Sequence, residues 1–204
     1  MWGCFSFDNA KTITTGEGGM ILFKSKKKFL KAKAWHDHGH ENNPKVPRWE
    51  DTKKSSGFNY RMTEMQGAIG IAQLKKLDFI ISKQRENHNK IWNKIKKIEN
   101  IRLRTYIKNS KITADALIIY VKNKIIARKC RSELLKESIS TKILPEAYTW
   151  HFAEEWEHIK FKKKNKKFPI SKKYLSRAVS IPIFIKMKKD IPNKIFNALK
   201  KAVK

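Results

Sequence analysis

The chain of 204 residues and 24.0 kDa is long enough to bury one ordinary core or two small ones, which excludes a peptide-scale scaffold. Its 47 Lys and Arg against 18 Asp and Glu give a net charge of +29, but 39 of the cations are lysine and 8 are arginine. Specific phosphate and base readout leans on the arginine fork, so this excess reads as a coding bias toward Lys, Ile and Asn rather than as a nucleic-acid footprint. In chain order, residues 3–7 and 18–24 read as two short strands joined by a glycine-bearing connection. Ser25 can cap a helix over residues 26–38, where Phe29, Leu30 and Trp35 form a partial apolar stripe, and Gly39 ends it. Residues 40–56 lack periodicity and read as a long surface loop. Thr63 opens the strongest helix, with Glu64 in its first turn and an apolar face running through Met65, Ile69, Leu77 and Ile81, and the pattern predicts one helix continuing to about residue 98. Strand-like 114–121, helix-like 124–136, strand-like 138–144 and a final helix over 190–203 predict a small α+β unit. The domain boundary is expected near residue 88, giving 1–88 and 89–204, and residues 160–167 read as a solvated basic loop.

A hydrophobic content of 40% excludes a disordered polybasic chain, and no apolar run approaches the ~18 residues that span a bilayer. Cys4 and Cys130 stand far apart without CxxC spacing, so neither a zinc site nor a disulfide framework is indicated and the cytoplasm is the default compartment. The chemistry concentrates in the segment from Lys11 to Gly19. Gly16, Gly18 and Gly19 let backbone approach a ligand closely, and Lys11 stands where the first strand hands over to that loop. A lysine held there can point into a pocket at a sheet edge. His36, His38 and His40 alternate in a way that does not converge on a metal, so a loop or substrate-side role is read for them. His151, between Trp150 and Phe152, reads as a packed histidine.

Ser6-Phe7, then Lys11 followed by Thr-Ile-Thr-Thr-Gly-Glu-Gly-Gly, resembles the lysine loop of the DegT/StrS family of pyridoxal-phosphate-dependent sugar aminotransferases. A second block, from Gly57 through Asn59 to Gln66 and on to Gln73 and Asp78, is similar to that family's downstream signature. The resemblance implies a partial aspartate-aminotransferase-like large domain, of the PLP transferase fold type I, in an α/β chain that ends in a small α+β domain. It implies that Lys11 is the catalytic lysine that tethers the cofactor aldehyde, that Ser6 hydrogen-bonds the cofactor phosphate, and that Asn59 reaches the phosphate of the neighbouring subunit in a homodimer. An amine attacks only when neutral, so such a lysine needs a partly desolvated, cationic pocket. The resemblance also says that dehydratases of the family carry histidine in place of this lysine, so Lys11 favours transamination. The implied reaction moves an amino group from an amino acid, glutamate, to a keto sugar.

The segment from Trp35 to Pro44, with Trp150 to Ala153, is similar to the branch that makes 8-amino-3,8-dideoxy-manno-octulosonate, an amino sugar acid of lipopolysaccharide. Because the resemblance starts just upstream of Lys11, the chain is expected to be a C-terminal fragment that neither holds the cofactor well nor transaminates alone. The competing readings are a basic module for anions or nucleic acid, motivated by the charge of +29, and a non-catalytic remnant of the family.

Overall fold

The computed structural model describes residues 2–142, 144–156, 158 and 168–204, and the side chains of Tyr148 and His151 are not among what it describes. The basic loop at 160–167 and the packing of His151 therefore lie outside the described residues. The chain forms two compact units, residues 1–78 and 79–204.

The N-terminal unit begins with an antiparallel hairpin of β1 (Trp2–Ser6) and β2 (Gly19–Phe23), in which Trp2 faces Phe23 and Ser6 faces Gly19. A Cβ at Gly19 would lie 2.8 Å from the Phe5 carbonyl oxygen, so only glycine permits this close pairing at the loop's exit. Ser25 caps α1 (Lys26–His36) by accepting from Lys28 N–H at 3.4 Å. Gly39 closes the helix end at φ +84°, donating to Ala34 O at 2.8 Å, and a Cβ there would collide with the Ser55 carbonyl oxygen. Backbone bonds from Phe58 N to Trp35 O and from Tyr60 N to His36 O, both 2.9 Å, then stitch residues 58–60 to the end of α1. Thr63 opens α2 (Glu64–Leu74) with a full capping box: Gln66 N–H donates to Thr63 Oγ1 and Thr63 N–H to Gln66 Oε1. Trp2, Phe5, Met20, Ile21 and Leu22 all remain exposed on the hairpin.

The single long helix expected from Thr63 onward is instead two. Lys76 N–H bonds to Gln73 O at 3.0 Å, a three-residue step that tightens the last turn of α2, and α3 (Leu77–Ile95) starts afresh. Exposed Lys75 and Lys76 bring no apolar contact that would hold one continuous ladder across this point.

The C-terminal unit is an α+β layer pair. Its antiparallel sheet runs in the order β3 (Arg102–Leu103), β4 (Ala116–Tyr120), β5 (Ala178–Pro182). Leu117 and Ile119 alternate inward from β4 as the two-residue period requires, and both are fully buried. They pack with Ile91 and Ile95 of α3, with Cys130 and Leu134 of α4 (Lys124–Lys136), and with Ile195 and Leu199 of α6 (Ile191–Val203). Asn123 caps α4 by accepting from Ile126 N–H at 3.0 Å. The remaining helix, α5 (Pro169–Ser176), precedes β5. The strand expected at 138–144 is not formed among the described residues. Ser138 leaves α4 with a left-handed φ of 59°, and the chain then runs beside β5 with Lys142 N–H donating to Ser180 O at 2.7 Å and Ser180 N–H to Leu144 O at 3.5 Å. The sheet position goes to residues 178–182, which pair with β4 along their whole length.

Candidate active site

The lysine loop is organised by its own polar side chains. Phe7 N–H donates to Gly18 O at 2.9 Å and Thr15 N–H to Phe7 O at 3.0 Å, which closes the loop's neck. The Asp8 carboxylate accepts from Ala10 N–H at 2.7 Å and Asp8 O accepts from Lys11 N–H at 3.1 Å, so an Asx turn delivers Lys11 to a defined place. Gly16 and Gly18 take positive φ of 83° and 131°, the conformations that their lack of a side chain allows. Buried Thr15 donates to Glu17 O at 2.5 Å, and Gln66 Nε2 of the capping box donates to the same carbonyl at 3.1 Å, which fastens the loop to the start of α2.

Two of the three expected site residues come together here. Lys11 Nζ lies 2.9 Å from Asp8 Oδ2, and Ser6 Oγ donates to that same oxygen at 3.2 Å. Asp8 thus joins the amine to the hydroxyl, and its carboxyl is held below the ordinary carboxylate value, first by the hydrogen bond from Lys11 and then by the one from Ala10 N–H. The Lys11 side chain is 48% exposed and sits against the Asp8 carboxylate, so a ligand can reach its amine, but the partly desolvated, cationic pocket expected for this lysine is not formed by the described residues. Sequence reasoning missed Asp8; the available signal was an aspartate at the head of a four-residue turn ending on the lysine.

Asn59 stands apart from this pair, on the segment stitched to the end of α1. Its Oδ1 accepts from Arg61 Nε at 3.0 Å, which leaves the amide NH2 as the end free to donate. Arg61 Nε also lies 3.5 Å from Asp37 Oδ1. Asp37 is 3% exposed and is gripped by both terminal nitrogens of the Arg48 guanidinium, and its carboxyl is lowered to about 2, chiefly by the hydrogen bonds from Arg48. None of this network was read from the sequence, because Arg48 comes from the loop that shows no periodicity. His36 Nδ1 bonds to Lys33 O at 2.5 Å and His40 Nδ1 lies 3.3 Å from Asp51 Oδ2, so these histidines serve separate local contacts.

The glycine-closed hairpin loop thus presents a primary amine and a hydroxyl on one carboxylate. Residues 1–200 match the DegT/DnrJ/EryC1/StrS aminotransferase family, and the chain belongs to it. It is 32% identical over 214 residues to an uncharacterized protein of Methanocaldococcus jannaschii, covering 98% of this chain and 53% of that one. It is 30% identical over 184 residues to GDP-perosamine synthase of Escherichia coli O157:H7, covering 88% and 46% respectively. Among solved structures it superposes with TM-score 0.80 on Helicobacter pylori PseC, an aminotransferase of pseudoaminic acid biosynthesis, at 21% identity over 99% of this chain and 53% of that one. The chain therefore spans about half the length of the curated relatives it matches. The fold is that of the PLP-dependent sugar aminotransferases of fold type I, whose cofactor is pyridoxal 5'-phosphate. The residue types are compatible with that group: Lys11 carries a primary amine of the kind an aldehyde takes, and Ser6 carries a hydroxyl that could serve a phosphate oxygen once turned from the Asp8 carboxylate to which it now donates. No helix among the described residues is long and apolar enough to cross a membrane.

Proposed function

We propose that this chain supplies the lysine-bearing part of a PLP-dependent sugar aminotransferase, with residues 1–88 belonging to the cofactor-binding domain and 89–204 forming the small domain. The observation that carries the reading is the Ser6–Asp8–Lys11 cluster, in which one carboxylate oxygen holds both the amine and the hydroxyl. The bound cofactor acts as an electron sink for the bonds at the amino-bearing carbon. The chain's own residues do the rest. Asp8 holds Lys11 at the end of its turn and holds the Ser6 hydroxyl, which would turn from the carboxylate to donate to the phosphate. Lys11 would tether the cofactor and, as a free amine, would be the base that moves a proton between neighbouring carbons of the substrate. Asn59, aimed by Arg61, donates its amide to the phosphate bound by a second copy in a homodimer.

The amino donor in this reading is glutamate, and the acceptor is a keto sugar of lipopolysaccharide synthesis, in the manner of the octulosonate branch that the segment from Trp35 to Pro44 is similar to. The enzyme needs more chain than these 204 residues to hold its cofactor tightly, a reading supported by the open faces of the two-stranded hairpin, where Phe5, Met20 and Leu22 are exposed. The test is borohydride reduction of the cofactor-loaded complete enzyme followed by peptide mapping. Label on the peptide that carries Lys11, with the cofactor's absorbance band and turnover both lost in Lys11→Ala, is the expected result. Turnover retained in that variant overturns the assignment.

A further inference from the structure

The C-terminal unit carries a cleft of about 730 Å³ whose polar wall has no described function, and it falls within the size range of small-molecule sites. It is lined by Arg177, one of only 8 arginines in the chain. The guanidinium lies 4.9 Å from the centroid of the Tyr174 ring and 6.0 Å from that of Tyr120, and the two rings meet edge to face at 5.1 Å. Two aromatic faces thus hold the cation in one place at little further entropic cost. Its Nε is enclosed and makes no hydrogen bond to any described residue, and no carboxylate among the described residues forms an ion pair with it. A guanidinium held by two rings, with an Nε–H that has no acceptor among the described residues, still has N–H donors to offer a ligand, and an enclosed N–H left unpaired costs free energy. Arg102, Lys122 and Lys204 line the same cleft, and no Asp or Glu side chain is among its described lining. Leu103, Ile126 and Val203 add apolar lining to the cleft.

We propose that this cleft binds an organic phosphate monoester. Four cationic side chains match a dianion better than a single carboxylate, and the guanidinium fork matches phosphate oxygens in pairs. The apolar lining takes the body of the ligand. The site rests on residues of the C-terminal unit alone and does not depend on the role given to Lys11.

The test uses the full chain at physiological salt, which screens diffuse association with the many surface lysines. Phenyl phosphate is the probe, with inorganic phosphate and benzoate as comparisons, followed by NMR of the Arg177 Nε–H resonance. Phenyl phosphate is expected to move that resonance to saturation and to bind more tightly than inorganic phosphate, which lacks the apolar body, and than benzoate, which lacks the second charge. Arg177→Lys, which keeps the charge and loses the fork, is expected to weaken binding about tenfold or more. Exposed Lys122→Gln, which leaves the ring stack intact, is expected to weaken it about threefold. An Arg177 signal that stays still while phenyl phosphate saturates the chain overturns the proposal. So does binding unchanged in both variants, and benzoate binding as tightly as phenyl phosphate overturns the choice of a phosphate.

Discussion

Arg48 closes on Asp37 with both ends of its guanidinium, Nη2 to Oδ1 at 2.6 Å and Nη1 to Oδ2 at 2.7 Å. The pair ties the long loop back to the last turn of α1, so the buried carboxylate is a fastening point for the segment that carries Asn59. Its folded value of about 2 lies below the 3.8 of a free aspartate, because the Arg48 hydrogen bonds favour the charged form. The stability it contributes is therefore fully present above about pH 4 and is lost as pH falls toward 2, where the folded carboxylate must finally take its proton. Asp37→Asn is expected to lower stability at pH 7 by about 1–3 kcal/mol and to flatten that acid-side loss. Urea unfolding followed by tryptophan fluorescence at pH 7, 4 and 3 checks both; acid curves that stay parallel in parent and variant would show the pair to be inert.

Arg61 stands between that fastening point and Asn59, with its Nε 3.0 Å from Asn59 Oδ1 and 3.5 Å from Asp37 Oδ1. It is a positioning residue in the proposed enzyme, since it sets which end of the Asn59 amide is free to donate. Arg61→Leu is expected to raise the cofactor dissociation constant of the complete enzyme about three- to tenfold while leaving kcat nearly unchanged at saturating cofactor. Cofactor titration by absorbance reads this, and a double-mutant cycle separates it from simple unfolding. Asn59→Ala should cost little more once Arg61 is gone. Full additivity of the two losses would mean that Arg61 does not act through Asn59.

Local information explains what could be read in advance. Lys11 with its glycines was singled out by the family resemblance of its nine-residue loop, and the Asn123 cap was equally local and went unread, whereas Ser25 and Thr63 each sit next to the helix they cap, so short-range chemistry identified them. Gly39 was legible for the same reason, as a left-handed stop after an amphipathic run. The Asp37–Arg48 grip spans eleven positions through a loop without period, and no residue in between announces it. The helix break after Leu74 was hidden because the apolar pattern continues through Leu77 and Ile81 while the backbone ladder does not. Residues 138–144 and 178–182 are both short and apolar, and only the pairing with β4 decides which becomes the strand.

The two cysteines provide the last test, because they lie in opposite environments. Cys4 is exposed on β1, whereas Cys130 is completely buried among Ile91, Leu134 and Leu199, and burial pushes its thiol up to about 12 from an ordinary 9.0. Native protein at pH 8 is expected to react with a thiol reagent at Cys4 alone, with Cys130 reacting only after unfolding, as peptide mapping of the alkylated chain would read. The linkage runs opposite to that of Asp37. Above about pH 9 the unfolded thiol ionises while the folded one cannot, so the contribution of Cys130 is complete below that pH and falls away as pH rises toward 12. Cys130→Ala is expected to cost about 1 kcal/mol at pH 7, from the volume lost in the core, and to make the alkaline decline shallower than in the parent. Equal alkylation of both thiols in the native chain would show that the core around α4 opens far more readily than its packing implies.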